Sequence, residues 1–289
     1  TDSGEEFYDT HHNLSRPSGV NEDRDRKGGL YNLEYHALPM EFADERGLLA
    51  HAKRLEGMRF SDISRLIGEL DVRHRKHTKG VAAKIIETDY FGIPSNSSEK
   101  PDFEKLGIEL KVSPLRYVER AGLYTTKERN VLKMVDYNEI LDVPHWMDTK
   151  VYDKLRRILF VLYVHDKQVP AEEWRVVKAF LWSPDEGYCE DIQRDYQIMR
   201  DKVNSGETLR EGDHTIFATC PKHGGGFLKR DPLSSPRSAL AEHPILDLAE
   251  KRGYCIKREA FIALIAEAIG APLAKKGRTI GLEHEHLEW

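Results

Sequence analysis

Seven consecutive residues, Ile158-Leu159-Phe160-Val161-Leu162-Tyr163-Val164, carry no charge and no turn former, and no apolar stretch of the 289-residue chain is longer. A membrane-spanning helix needs roughly 20 such residues, so this run is far too short to cross a bilayer, and no membrane partner is expected. Its length, its β-branched and aromatic content and the turn formers around it read as a buried strand. Val176 to Trp182, closed by Ser183-Pro184, reads the same way, Ile108 to Val112 is a shorter strand, and Gly212 to Thr219 is another. Helical patterns surround them. Leu48, Leu49, Ala52 and Leu55 recur at helix spacing until Gly57; Ser61 is placed to cap a helix over Asp62 to Leu70 with Ile63, Leu66 and Ile67 on one face. Thr78 to Phe91 follows with Val81, Ile85 and Ile86 inward, then Asp191 to Val203, Leu240 to Lys251 and Lys257 to Ile269. The order predicts an α/β (α+β) fold with a central mixed sheet flanked by helices. Residues 1–40 read as an irregular extension, 41–270 as the folded domain, and 271–289 as a tail; within the domain, about 41–165 and 170–270 form two parts.

Hydrophobic residues are 39% and charged residues 32% of the chain, ordinary for a globular protein. Cys189, Cys220 and Cys255 are odd in number and widely spaced, which argues against a disulfide framework and a cysteine-rich zinc site and favours a reducing, cytoplasmic setting. The net charge of −5 counts mildly against a nucleic-acid partner, but local patterning matters more. Arg73 to Lys84 holds five Lys/Arg and no acid, and residues 220–279 hold eleven Lys/Arg against six Asp/Glu. Such runs suit a cleft for a phosphate backbone, and equally suit solvated helix faces.

The segment Pro101-Asp102 to Gly107-Ile108-Glu109-Leu110-Lys111 is the richest in chemistry. Side chains alternate along a strand, so Glu109 and Lys111 point one way while Leu110 points into the sheet. Asp102 lies across a glycine-containing turn and can fold back beside them. Two carboxylates and the Leu110 backbone carbonyl form an oxygen set suited to Mg2+, and Lys111 could orient a water or balance charge on phosphorus. The bland alternative is an exposed strand with a salt bridge.

In its wider setting the segment follows Lys79-Gly80, a helix carrying Glu87 and ending at Phe91-Gly92-Ile93, then Lys100-Pro101-Asp102-Phe103, Leu106 to Lys111 and Pro114-Leu115. This order resembles the MutH-like family of restriction-type endonucleases, which comprises mismatch-repair nicking enzymes and GATC-cutting type II restriction relatives. Leu48-Leu49 to Gly57, Asp153 to Leu159, Leu181-Trp182-Ser183-Pro184, Cys220-Pro221-Lys222 and Gly253 to Lys257 extend the resemblance in order over about residues 45–268. It implies a restriction-endonuclease-like fold that hydrolyses double-stranded DNA with Mg2+, or Mn2+ in its place, at GATC or a related short site, leaving 5′-phosphates. It implies Asp102 and Glu109 as metal ligands, Lys111 as the catalytic lysine and Glu87 as a further carboxylate at the metal. Lys79 and Lys154 would lie near the scissile phosphate and Lys222 would contact DNA. A homodimer, or a second copy of the fold, would supply double-strand cleavage. Two positions depart from the mismatch-repair members: Cys220 stands in place of an Arg, and Cys255 in place of a methylation-sensing Tyr. Tyr124 to Arg129 followed by Asn138 looks more like the restriction relatives.

Gly224-Gly225-Gly226 beside Lys222, Lys229 and Arg230 could form a loop that approaches DNA closely, or a plain flexible loop. Tyr254 and Lys257 could contact DNA; Tyr254 could equally pack in the core. Cys220 with His223 lacks a second pair at zinc-ligand spacing, and His11-His12 and the His284-Glu285-His286 tail read as flexible ends. Three functions compete: a restriction-type endonuclease, a mismatch-repair nicking enzyme activated by a partner protein, and a catalytically silent DNA-binding module.

Overall fold

The computed structural model describes residues 40–67, 80–94, 98–207, 209–221 and 252–287, all within one compact unit, His36–Trp289. The expected extension, the helix over Leu240 to Lys251 and the glycine-rich loop lie outside the described residues. In chain order the helices are α1 (Glu45–Lys53), α2 (Phe60–Leu66), α3 (Val81–Ala83, continuing as a π-helical segment Lys84–Tyr90), α4 (Tyr137–Asp142), α5 (Lys150–Leu155), α6 (Glu186–Asn204) and α7 (Arg258–Ile269). The strands are β1 (Glu109–Val118), β2 (Leu123–Thr126), β3 (Asn130–Met134), β4 (Ile158–Val164), β5 (Arg175–Trp182), β6 (Phe217–Pro221), β7 (Arg252–Ile256), β8 (Ala274–Lys276) and β9 (Thr279–Glu283).

Six strands form one sheet in the order β5-β4-β1-β2-β9-β8. The β1–β4 pair is parallel and the other pairs are antiparallel, so the sheet is mixed, as expected. A second sheet has the order β3-β7-β6. The uninterrupted apolarity of β4 has a simple cause. Leu159, Val161 and Tyr163 enter a core shared with α1, α2 and α3, while Ile158, Phe160 and Leu162 enter a second core with α5, α6 and α7. A strand covered on both faces has no polar side to alternate with.

Several local expectations are corrected. The Asp62–Leu70 helix starts earlier and is not capped by Ser61: Arg59 occupies the cap position, and its backbone N–H donates to Asp62 Oδ2 at 3.1 Å. Leu66 is 52% exposed, so only Ile63 of the proposed apolar face is deeply buried. Gly212 belongs to a 3-10 turn, Glu211–Asp213, and the strand begins only at Phe217. Residues 274–283 are no loose tail, since β8 and β9 form a hairpin and β9 pairs with β2 through Leu123↔Glu283 and Tyr124↔Leu282. His284 follows in a 3-10 turn and its ring lies 5.8 Å from that of Tyr124.

Candidate active site

Residues 103–108 make a tight turn. Phe103 and Ile108 bond to each other in both directions, at 2.9 and 3.3 Å, and Gly107 sits at φ +66°. That left-handed backbone calls for glycine, and a Cβ there would also have to displace the Arg156 guanidinium at the end of its flexible side chain. The turn brings Asp102 back alongside β1, where its Oδ2 accepts the Leu110 N–H at 2.9 Å. Glu109 opens β1 in register with Ile158, and its N–H donates to the Arg157 carbonyl at 3.0 Å. That register sets Lys154 in the last turn of α5, four residues ahead of Ile158, beside Glu109.

The expected convergence of side chains is present. Lys111 Nζ lies 2.6 Å from Glu109 Oε1, and Lys154 Nζ lies 2.9 Å from Glu109 Oε2 and 3.0 Å from the Lys100 carbonyl oxygen. The strand is not exposed, as a surface salt bridge would require: Glu109 is 2% and Lys154 7% accessible. Burying a carboxylate costs several kcal/mol before its partners compensate, so such a group is a poor device for stability alone. Leu110, between the two, is buried in the sheet as the alternation predicts.

Glu87 comes from the π-helical segment, where Phe91 N–H donates to the Ile86 carbonyl at 3.1 Å. Such wide turns often mark functional positions. Burial pushes the Glu87 carboxyl up to about 7; Lys111 opposes this, and the charges of Asp102 and Glu109 add to it. Asp102 is raised as well, first by burial and then by Glu109, against the Leu110 N–H, Lys111 and Lys154. Three carboxylates therefore share a poorly solvated site with two ammonium groups. That surplus of hard oxygen donors fits a divalent cation. Among the described residues no three His, Cys, Asp or Glu side chains hold a metal site by themselves, so a cation here would need backbone oxygen, water or substrate to complete its shell.

The proposed DNA contacts fare differently. Lys79, Lys222, Lys229 and Arg230 lie outside the described residues. Tyr254 is corrected: it is fully buried on β7 and stacks on Phe217 at 5.1 Å, so it is a core residue. Lys257 caps α7 and its ammonium donates to the His214 carbonyl at 2.6 Å. Cys220 and Cys255 are both buried in the small sheet, packed with Ala218 and Val131. The Lys100 carbonyl was missed, because backbone contacts leave no residue-type signal.

A family model described as DNA mismatch repair enzyme MutH matches residues 91–195, a span that includes Asp102, Glu109, Lys111 and Lys154. The DNA mismatch repair protein MutH of Salmonella paratyphi B is 29% identical over 230 residues, covering 78% of this chain and 92% of the relative. Over most of its length the chain is thus similar to the MutH-like family. The MutH proteins of Salmonella newport and Salmonella enteritidis PT4 match with the same identity and coverage. The mixed six-stranded sheet with flanking helices is consistent with a restriction-endonuclease-like α/β fold. Among the described residues no helix is long and apolar enough to cross a membrane.

Proposed function

We propose that this MutH-like chain is a sequence-specific endonuclease that hydrolyses phosphodiesters of double-stranded DNA with Mg2+, at GATC or a related short site, leaving 5′-phosphates. Its similarity to MutH supports a nuclease acting on DNA, and the observation that carries the reading is the convergence of Asp102, Glu109, Lys111 and Lys154 where β1 begins. Mg2+, or Mn2+, held by Asp102, Glu109 and the Leu110 carbonyl with Glu87 close by, would polarise the scissile phosphate and ease deprotonation of a water. Lys111 keeps part of its side chain accessible. Its ammonium would orient the attacking water and offset charge developing on the phosphate oxygens. Lys154 is enclosed and tied to both Lys100 and Glu109, so it acts as a positioning residue that locks the Asp102 turn against β1. Lys79 would add phosphate contacts without sequence information, and base contacts would come from about residues 220–258, Lys222, Lys229 and Arg230 among them.

A second reading is a nicking enzyme that needs a protein activator, and it is favoured by the mismatch-repair relatives, 92% of whose length aligns with this chain. Incubating the purified chain with sequenced plasmid, with and without adenine methylation, and mapping the ends tests both. Double-strand breaks at one short site without any partner are expected. Nicks only, appearing when a partner is added, favour the second reading, and scattered ends contradict sequence specificity.

A further inference from the structure

On β1, seven residues beyond Glu109 and so roughly 23 Å along the strand, Arg116 faces a second site. The β2–β9 pairing stops at Tyr124↔Leu282, and β9 turns to pair with β8 instead. The strands part there, and a cavity of about 190 Å³ opens between Thr125 and Thr126 on one side and Thr279 and Ile280 on the other. Four guanidinium groups line it: Arg116 and Arg120 from β1 and its turn, Arg258 from the start of α7, and Arg278 from the β8–β9 hairpin. Glu259 is the one carboxylate in the lining among the described residues. Among the described residues none of the four arginine side chains makes a hydrogen bond or an ion pair. Thr126, also in the lining, is 2% exposed, yet its hydroxyl has no hydrogen-bond partner among the described residues.

Like charges gathered with a single carboxylate among them repel, and a buried hydroxyl left unpaired is a further cost. Both costs fall if an anion with several acceptor oxygens enters. Guanidinium groups match phosphate oxygens with paired N–H donors, and the N-terminus of the twelve-residue α7 adds its positive end. We propose that Arg116, Arg120, Arg258, Arg278 and Thr126 form a phosphate-binding site separate from the Asp102–Glu109 cluster. Its ligand is a phosphate group, either of nucleic-acid backbone lying outside the catalytic cleft or of a free phosphate ion. The inference stands apart from the nuclease reading, because neither its chemistry nor its test involves cleavage.

The full chain and the R116A/R278A variant, both metal-free, are compared by thermal unfolding in rising inorganic phosphate at constant ionic strength, with sulfate-free chloride as control. Both changes are at exposed positions, and matching circular dichroism verifies the fold. Thr126→Val, nearly isosteric, serves as the second variant. Phosphate should raise the wild-type Tm by several degrees, R116A/R278A should abolish that rise, and T126V should show a smaller one. Duplex DNA of 12 and 40 base pairs separates the sources. If backbone is the ligand, the slope of log K against log salt for the longer duplex becomes shallower by about 0.9 for each phosphate that R116A/R278A no longer neutralises. An unchanged slope with the phosphate response abolished assigns the site to free phosphate. Equal phosphate responses in wild type and R116A/R278A, or none in either, with equal slopes, overturn the proposal.

Discussion

Glu109 gives one carboxylate oxygen to Lys111 and the other to Lys154, and Lys154 divides its protons between Glu109 and the Lys100 carbonyl. Removing one partner of such a buried set leaves an uncompensated charge, whereas removing both is far milder. Lys154→Met should therefore lower stability by about 3 kcal/mol in urea unfolding. Adding Glu109→Gln should restore most of it without restoring cleavage; a double variant less stable than K154M alone contradicts this account. The pairing of Glu109 and Lys111 was legible from strand alternation, because residues i and i+2 share a face. Tyr254 was not legible. It lies on β7, whose five residues are all buried, so no polar side betrays which way it points. Its hydroxyl has no partner among the described residues, so Tyr254→Phe should leave Tm equal or higher and DNA affinity within about twofold. A tenfold loss of affinity would reinstate it as a DNA-binding residue.

Among the elements, β4 and β5 were readable because apolar side chains on both faces of a central strand leave an unbroken run. The β8–β9 hairpin was not, since Lys275, Lys276 and Arg278 mask any alternation and its β9 strand is fixed by pairing to β2, far away in the sequence. Gly281 permits that closeness, because a Cβ there would run into the Tyr124 carbonyl. The short β3 strand likewise depends on pairing with β7. Helix α6 owes its seat to Asp195, whose carboxylate accepts the backbone N–H groups of Thr215, Ile216 and Phe217 at 2.7–2.8 Å and the Thr215 hydroxyl at 2.9 Å. Asp195→Ala strands these donors at the start of β6 and should cost at least about 3 kcal/mol in chemical denaturation. A cost under about 1 kcal/mol would show that α6 is held by its apolar face alone.

At the scale of the molecule, the central sheet separates two apolar cores, and the carboxylate cluster sits where β1 begins, bordered by the turn before β1, the π-helical segment after α3 and the end of α5. A net charge of −5 is compatible with a DNA substrate because the basic residues are gathered in separate segments. The recognition side was legible only as a stretch of sequence; Lys222, Lys229 and Arg230 have no placement among the described residues. The central claim is that the Asp102–Glu109–Lys111 cluster cuts DNA. Its most direct test compares wild type, Asp102→Ala and Lys111→Ala on supercoiled plasmid with Mg2+, while duplex binding is measured in parallel. The prediction is cleavage by wild type, a loss of at least about a hundredfold in rate for each variant, and binding retained within a few-fold. Wild type and D102A leaving DNA equally uncut while binding it equally well would contradict the claim and leave a silent DNA-binding module.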